Sequence, residues 1–147
     1  MTDKEKYLDK PVIQDLKAEQ QVLGWAMLDD ECLKHAFDKL QTKHFLQGKH
    51  KLIYAALLKC WGEHKTINLV SLQDILRKGD ILGHKGDMLE AAGGIAYLVE
   101  LQEDVDCKES FKSFVRRVFL KATLREFTEC GNRIMELCYK QDEQIEA

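Results

Sequence analysis

The 147-residue chain has a single proline, Pro11, and no cysteine pair in a C-x-x-C arrangement. Its five cysteines, Cys32, Cys60, Cys107, Cys130 and Cys138, are odd in number and widely spaced. That argues against a disulfide framework and against a zinc ribbon, and with no leader-like opening it suits a reducing cytoplasm. Val, Ile and Thr together number only 20, no more than the leucines alone, which is too few β-branched residues for a sandwich of this length. The longest apolar run, Leu52 to Leu58, falls far short of the roughly 20 residues a bilayer requires. A formal net charge of −3 argues against a protein that coats nucleic acid over its whole surface.

Catalytic signatures are also missing. Gly48-Lys49 lacks both the earlier glycine and the following hydroxyl of a phosphate loop, and no H-E-x-x-H occurs. Cys60 and His64 have the spacing of two ligands on one helix turn, but Gly62 lies between them and no second pair accompanies them. No cofactor or metal is therefore expected in this chain, and nothing argues for catalysis by it.

The remaining composition is that of an all-α domain, with 45% hydrophobic and 32% charged residues. Residues 1–12 read as a loose tail ending at Pro11, and residues 13–105 as a compact head of about five helices. The first helix is expected from Gln14 to Leu28, with Ala18, Val22, Leu23, Ala26 and Met27 at helical spacing. Asp29 and Asp30 offer a stop and a new N-cap for a helix bearing Leu33, Phe37 and Leu40. After a connection over 41–48, a third helix runs from Lys49 to Trp61 and ends at Gly62. Asn68 caps a fourth, bearing Leu69, Leu72, Ile75 and Leu76. Residues 79–94 hold five of the nine glycines and read as a loop. A fifth helix follows Gly93-Gly94, with Ile95, Leu98 and Leu101 inward.

Residues 106–140 differ in kind. From Cys107 to Lys140 there is no proline and one glycine, Gly131. As one helix this segment is about 50 Å long, an arm rather than a globular helix. Its apolar residues form two seams. Phe111, Val115, Val118 and Ala122 make one. Leu120, Leu124, Phe127, Gly131, Ile134 and Cys138 make a heptad-like second, the pattern that binds another helix. A head of about 90 residues cannot cover both, so the second seam needs a partner. Residues 141–147 read as the start of a second arm or a linker. Eight basic and four acidic residues over 107–140 also raise phosphate contact by Lys108, Lys112, Arg116, Arg117, Lys121 and Arg125. A solvated helix face is the favoured account, because no base-reading motif accompanies them.

Several stretches in a shared order resemble the N-terminal domain of the DnaB-like replicative DNA helicases of bacteria and phages. Ala18-Glu19-Gln20-Gln21-Val22-Leu23-Gly24 is close to the family's A-E-Q-A-V-L-G. Met27-Leu28-Asp29 follows, then His44-Phe45 and the run from His50 to Leu57, similar to D-F-Y and H-x-x-I-F-x-A. Asn68-Leu69-Val70-Ser71-Leu72 resembles D-L-V-T-V, and Gly93-Gly94-Ile95-Ala96-Tyr97-Leu98 resembles G-G-x-x-Y-L. The departures are a few extra residues around Gly83 to Met88, and Thr128 and Gly131 in the arm. The resemblance covers residues 14–145.

The resemblance implies that the long helix is the first arm of a helical hairpin. Such arms pair two protomers, and three dimers form a collar that docks the C-terminal domain of primase and, in some systems, a helicase loader. It also implies that ATP and Mg²⁺ act in a RecA-like domain absent here, and that DNA is met only through the whole helicase. The expected partner-binding residues are Leu124, Phe127, Gly131 and Ile134 in the outer seam, and Tyr97 at the edge of the head. For Tyr97 two uses stay open: a docking aromatic, or core packing between head and arm. Two rival functions remain beside the collar reading: the helicase-binding domain of a primase, and a helical DNA-binding regulator.

Overall fold

The computed structural model describes residues 10–146. The expected tail over 1–12 lies mostly outside them, and Lys10, Pro11 and Val12 are exposed. Six α-helices follow: α1 Leu16–Leu28, α2 Asp30–Lys39, α3 Gly48–His64, α4 Leu69–Lys78, α5 Gly94–Glu103 and α6 Phe111–Glu146. Short 3-10 turns at Thr42–His44 and Lys108–Ser110 lead into α3 and α6. The fold is all-α apart from one small hairpin, β1 Gly79–Ile81 paired antiparallel with β2 His84–Lys85.

The helix starts are fixed by side-chain caps. Asp15 accepts from Ala18 N–H at the head of α1, Asp29 from Glu31 and Cys32 at α2, and Asn68 from Ser71 at α4. Each satisfies backbone donors that the first helical turn leaves open. Helix α1 is the central element, packed against α2, α3, α5 and α6. Eight of its thirteen residues are buried, Glu19 and Gln21 among them. Gln21 donates to the Asp104 carbonyl at 2.8 Å and accepts from Asp106 N–H at 2.7 Å, which ties down the α5–α6 connection. Gly24 allows close approach here, since a Cβ would run into the Leu101 carbonyl oxygen and the Val105 side chain.

Four expectations need correction. Gly62 does not end the third helix, which continues to His64 and stops where Lys65 turns left-handed at φ 56°. A glycine inside a helix costs only about 1 kcal/mol, and the neighbouring contacts outweigh it. Residues 79–94 are not all loop, because they contain the β hairpin. Ile95 is 39% exposed: Gly94 takes the inward position, four and seven residues before the buried Leu98 and Leu101, and Ile95 is turned outward. No break separates residues 141–146 from the arm, and α6 runs on to Glu146 over about 54 Å. The first seam, Phe111, Val115, Val118 and Ala122, is buried together with Phe114, so the root of the arm belongs to the core.

Candidate functional site

Three stretches of chain converge on a buried polar chain. Glu19 of α1 is 2% exposed and His50 of α3 is fully buried. One Glu19 carboxylate oxygen accepts from Leu46 N–H at 3.0 Å, and the other from Gln47 N–H at 3.5 Å and His50 Nδ1 at 2.8 Å. A carboxylate engaged this way only accepts, so the proton between them sits on Nδ1. His50 Nε2 then faces the Tyr97 hydroxyl at 2.6 Å. A buried carboxylate held by backbone N–H groups and an imidazole is compensated where an unpaired one would be costly.

Tyr97 is half-buried on α5. Its ring stacks on His50 with centroids 6.0 Å apart, and Lys49 Nζ lies 3.9 Å from the ring centroid on a cation–π contact. Gln20 Nε2 donates to its hydroxyl at 3.5 Å. Gly93, at φ 102°, makes room for the ring: a Cβ there would fall 2.7 Å from Tyr97 Cδ1. These partners lie on α1 and α3, within the head. Beside it a cavity of about 190 Å³ opens between α1 and α5, lined by Lys17, Gln20, Gln21, Glu100 and Asp104 among others.

The arm is clamped at its root. Asp15 caps α1 with one oxygen, and with the other it holds Arg117 Nε at 2.7 Å and the guanidinium NH2 at 2.6 Å. Arg125 donates to the carbonyls of Ile13 at 2.8 Å and His44 at 2.9 Å. Lys108 pairs with Asp29 at 2.6 Å, and this hydrogen bond holds the Asp29 carboxyl below the usual carboxylate range. The His44 ring meets Phe119 edge-on at 5.2 Å, and burial pushes its pKa down. Three of the six cations weighed for phosphate contact, Lys108, Arg117 and Arg125, are therefore engaged within the chain.

Beyond Glu126, whose carboxylate lies 3.9 Å from Lys43 Nζ, the arm leaves the head. Leu124 is 47% exposed, Phe127 69% and Ile134 58%, and a Cβ on Gly131 would meet nothing within 4 Å. Among the described residues the large apolar side chains of the outer seam are thus left exposed. The cysteine–histidine pair set aside earlier is split, with Cys60 buried and His64 exposed beside Glu63. Among the described residues no cluster of three or more His, Cys, Asp or Glu is placed to hold a metal, and no helix is long and apolar enough to cross a membrane.

The fold is a compact helical head with a projecting, apolar-seamed helical arm. Comparison with known proteins places it in a family. Residues 12–119 match the family described as the DnaB-like helicase N-terminal domain, and the chain belongs to that family. It is 29% identical over 131 residues to the replicative DNA helicase DnaB of Leifsonia xyli subsp. xyli (strain CTCB07), covering 89% of this chain and 27% of that one. It is 28% identical over 133 residues to the DnaB of Geobacillus stearothermophilus, covering 90% and 28%. The chain thus spans little more than a quarter of these relatives. The crystal structure of the N-terminal domain of DnaB helicase from Mycobacterium tuberculosis superposes with a TM-score of 0.80 at 27% identity, covering 90% of each chain.

Glu19 and His50 were not singled out as site residues, although each stands in a quoted motif. The signal was there: a carboxylate and an imidazole each stand on a strongly apolar helical face, beside Ala18, Val22 and Leu23 and beside Ile53 and Tyr54. Each of the three motifs supplies one member of the chain Glu19–His50–Tyr97.

Proposed function

We propose that this chain is the collar and oligomerisation module of a replicative DNA helicase. In this reading the outer seam, with Leu124, Phe127, Gly131 and Ile134, pairs two copies, and dimers assemble further into a collar. The head docks the C-terminal domain of primase or a helicase loader, with Tyr97 at the contact. ATP and Mg²⁺ belong to a RecA-like domain elsewhere in the whole helicase, through which DNA is met, and the protein works in the cytoplasm. The observation that carries the reading is the exposed apolar seam on an arm anchored to a head of the DnaB-like family. An apolar surface of this extent marks an interaction site.

Sedimentation of the purified chain at rising concentration tests assembly, with a dimer or larger species expected and a persistent monomer contradicting it. Titration with the cognate primase C-terminal domain tests docking. Tyr97→Phe, which keeps the ring, is expected to leave the head folded and to weaken binding only if the hydroxyl meets the partner. Failure to bind either primase or loader, tested as the chain and as the whole helicase, contradicts the docking role.

A further inference from the structure

Two of the arm cations that the head does not engage, Lys112 and Arg116, line a groove between α2 and the root of the arm. The groove is a cavity of about 330 Å³, lined by His35 and Lys39 of α2 and by Lys112, Val115, Arg116 and Phe119 of α6. These residues form three rows, each spaced four residues apart, or about one helical turn. His35 and Lys39 make one rim, Lys112 and Arg116 the other, and Val115 and Phe119 the floor between them. Val115 is buried and Phe119 is 43% exposed. Lys39, Lys112 and Arg116 are exposed and make no ion pair among the described residues. Burial lowers the His35 pKa, and the charges of Lys112 and Lys39 lower it further against the opposing pull of Asp38. The groove is therefore positive even with His35 neutral. Its walls are fixed to each other: His35 meets Phe111 edge-on at 6.0 Å, and Lys108 pairs with Asp29 at the head of α2.

We propose that this groove is a second docking surface of the head, and that its occupant is an acidic amphipathic helix of a partner protein. The groove shares no residue with the Tyr97 site or the outer seam, so the proposal stands or falls apart from both. A helix laid in a groove presents apolar anchors one turn apart and carries its flanking residues over the two rims. Carboxylates on one flank meet Lys39, and those on the other meet Lys112 and Arg116, while the anchors cover Phe119. Because α2 and the arm root are already packed together, the site is formed before the partner arrives, which lowers the cost of binding. Single-stranded nucleic acid fits the groove less well. Its channels stack successive bases on several aromatics along a continuous cationic track. This groove offers one exposed aromatic, already in edge contact with His44, and Arg117 and Arg125 of the same helix are turned to the head.

Fluorescence anisotropy on the whole 147-residue chain tests this with a synthetic peptide of Ala, Leu and Glu. The peptide has about 15 residues, long enough to hold a helix, with leucines three and four apart on one face and glutamates on both flanks. Saturable binding that weakens with added salt is expected. Lys112→Glu with Arg116→Glu is expected to raise the Kd about tenfold or more, and Lys140→Glu, far along the arm, less than about twofold. All three positions are exposed, so melting is expected to stay unchanged. Phe119→Ala is expected to weaken binding without changing its salt dependence. The same peptide with lysines in place of its glutamates is expected to prefer the Lys112→Glu, Arg116→Glu variant over the unaltered chain, a reversal that misfolding does not produce. Four results overturn the proposal: no saturable binding, equal binding of a leucine-free peptide of the same charge, tighter binding of an oligothymidylate that displaces the peptide, or binding untouched by the double charge reversal. Loss of self-association in that double variant also overturns it, and assigns the groove to a second copy.

Discussion

Replacing Glu19 by alanine is a demanding test of the buried polar chain, because the structure sets the size of the effect. The side chain is 2% exposed and its two oxygens receive Leu46 N–H, Gln47 N–H and His50 Nδ1. Glu19→Ala deletes all three acceptors and leaves the donors in an interior that water does not reach. The Gln47 contact, at 3.5 Å, is long and contributes little. The Leu46 and His50 donors are well placed, and each buried donor left without a partner costs about 1–3 kcal/mol. Breaking a buried, hydrogen-bonded carboxylate–imidazole pair by removing one member falls in a similar range, about 3–5 kcal/mol. We therefore expect a loss of about 3–5 kcal/mol, a large share of the roughly 5–15 kcal/mol that holds a domain of this size together. Urea unfolding followed by circular dichroism, with monomeric Ile134→Asp as the background so that assembly does not mask the change, measures it directly. Glu19→Gln, which keeps one carbonyl acceptor, should lose less than Glu19→Ala. A loss under about 1 kcal/mol for Glu19→Ala would refute the argument that these donors depend on the carboxylate.

Gly24→Ala should destabilise the head by about 1–3 kcal/mol, because the new Cβ collides with the Leu101 backbone; thermal melting checks it. His44 carries a pKa lowered by burial from its ordinary 6.5, so the unfolded chain binds its proton first and stability falls as pH drops from about 6.5 through the lower folded value. His44→Gln should flatten that part of the stability–pH curve. Tyr97→Ala should weaken primase binding by more than about 1 kcal/mol if the ring is a docking anchor. The same change should also lower stability by about 3–5 kcal/mol, because the ring packs on His50 and Lys49, and differential scanning calorimetry beside the binding titration separates the two effects.

Local chemistry made much of the fold readable. Asp29 and Asn68 are capping residues in front of apolar-periodic segments, and both cap helices in the structure. The two seams of the arm step by three and four, and one is buried while the other faces outward. Features set by contacts distant in sequence were not readable. The hairpin at 79–85 has strands of three and two residues, too short for an alternating pattern to emerge from a glycine-rich segment. The outward turn of Ile95 depends on Gly94 filling the inward position, which periodicity among large apolar residues does not register. The polar chain joins residues 31 and 47 positions apart in sequence, and only the packing of α1, α3 and α5 brings them together. Tyr97 was visible as a ring with a polar tip, but the imidazole that its hydroxyl meets was not.

The central claim is that the outer seam of the arm exists to bind another copy of the chain. It is tested most directly by sedimentation equilibrium of three proteins: the unaltered chain, Ile134→Asp on the seam, and Asn132→Asp on the opposite face. Ile134 is 58% exposed, so its replacement by aspartate should leave the melting of the head unchanged while placing a charge in the paired seam. The account predicts concentration-dependent association for the unaltered chain and for Asn132→Asp, and a monomer for Ile134→Asp at every concentration. Association that survives Ile134→Asp unchanged, or an unaltered chain that stays monomeric at high concentration, would contradict it.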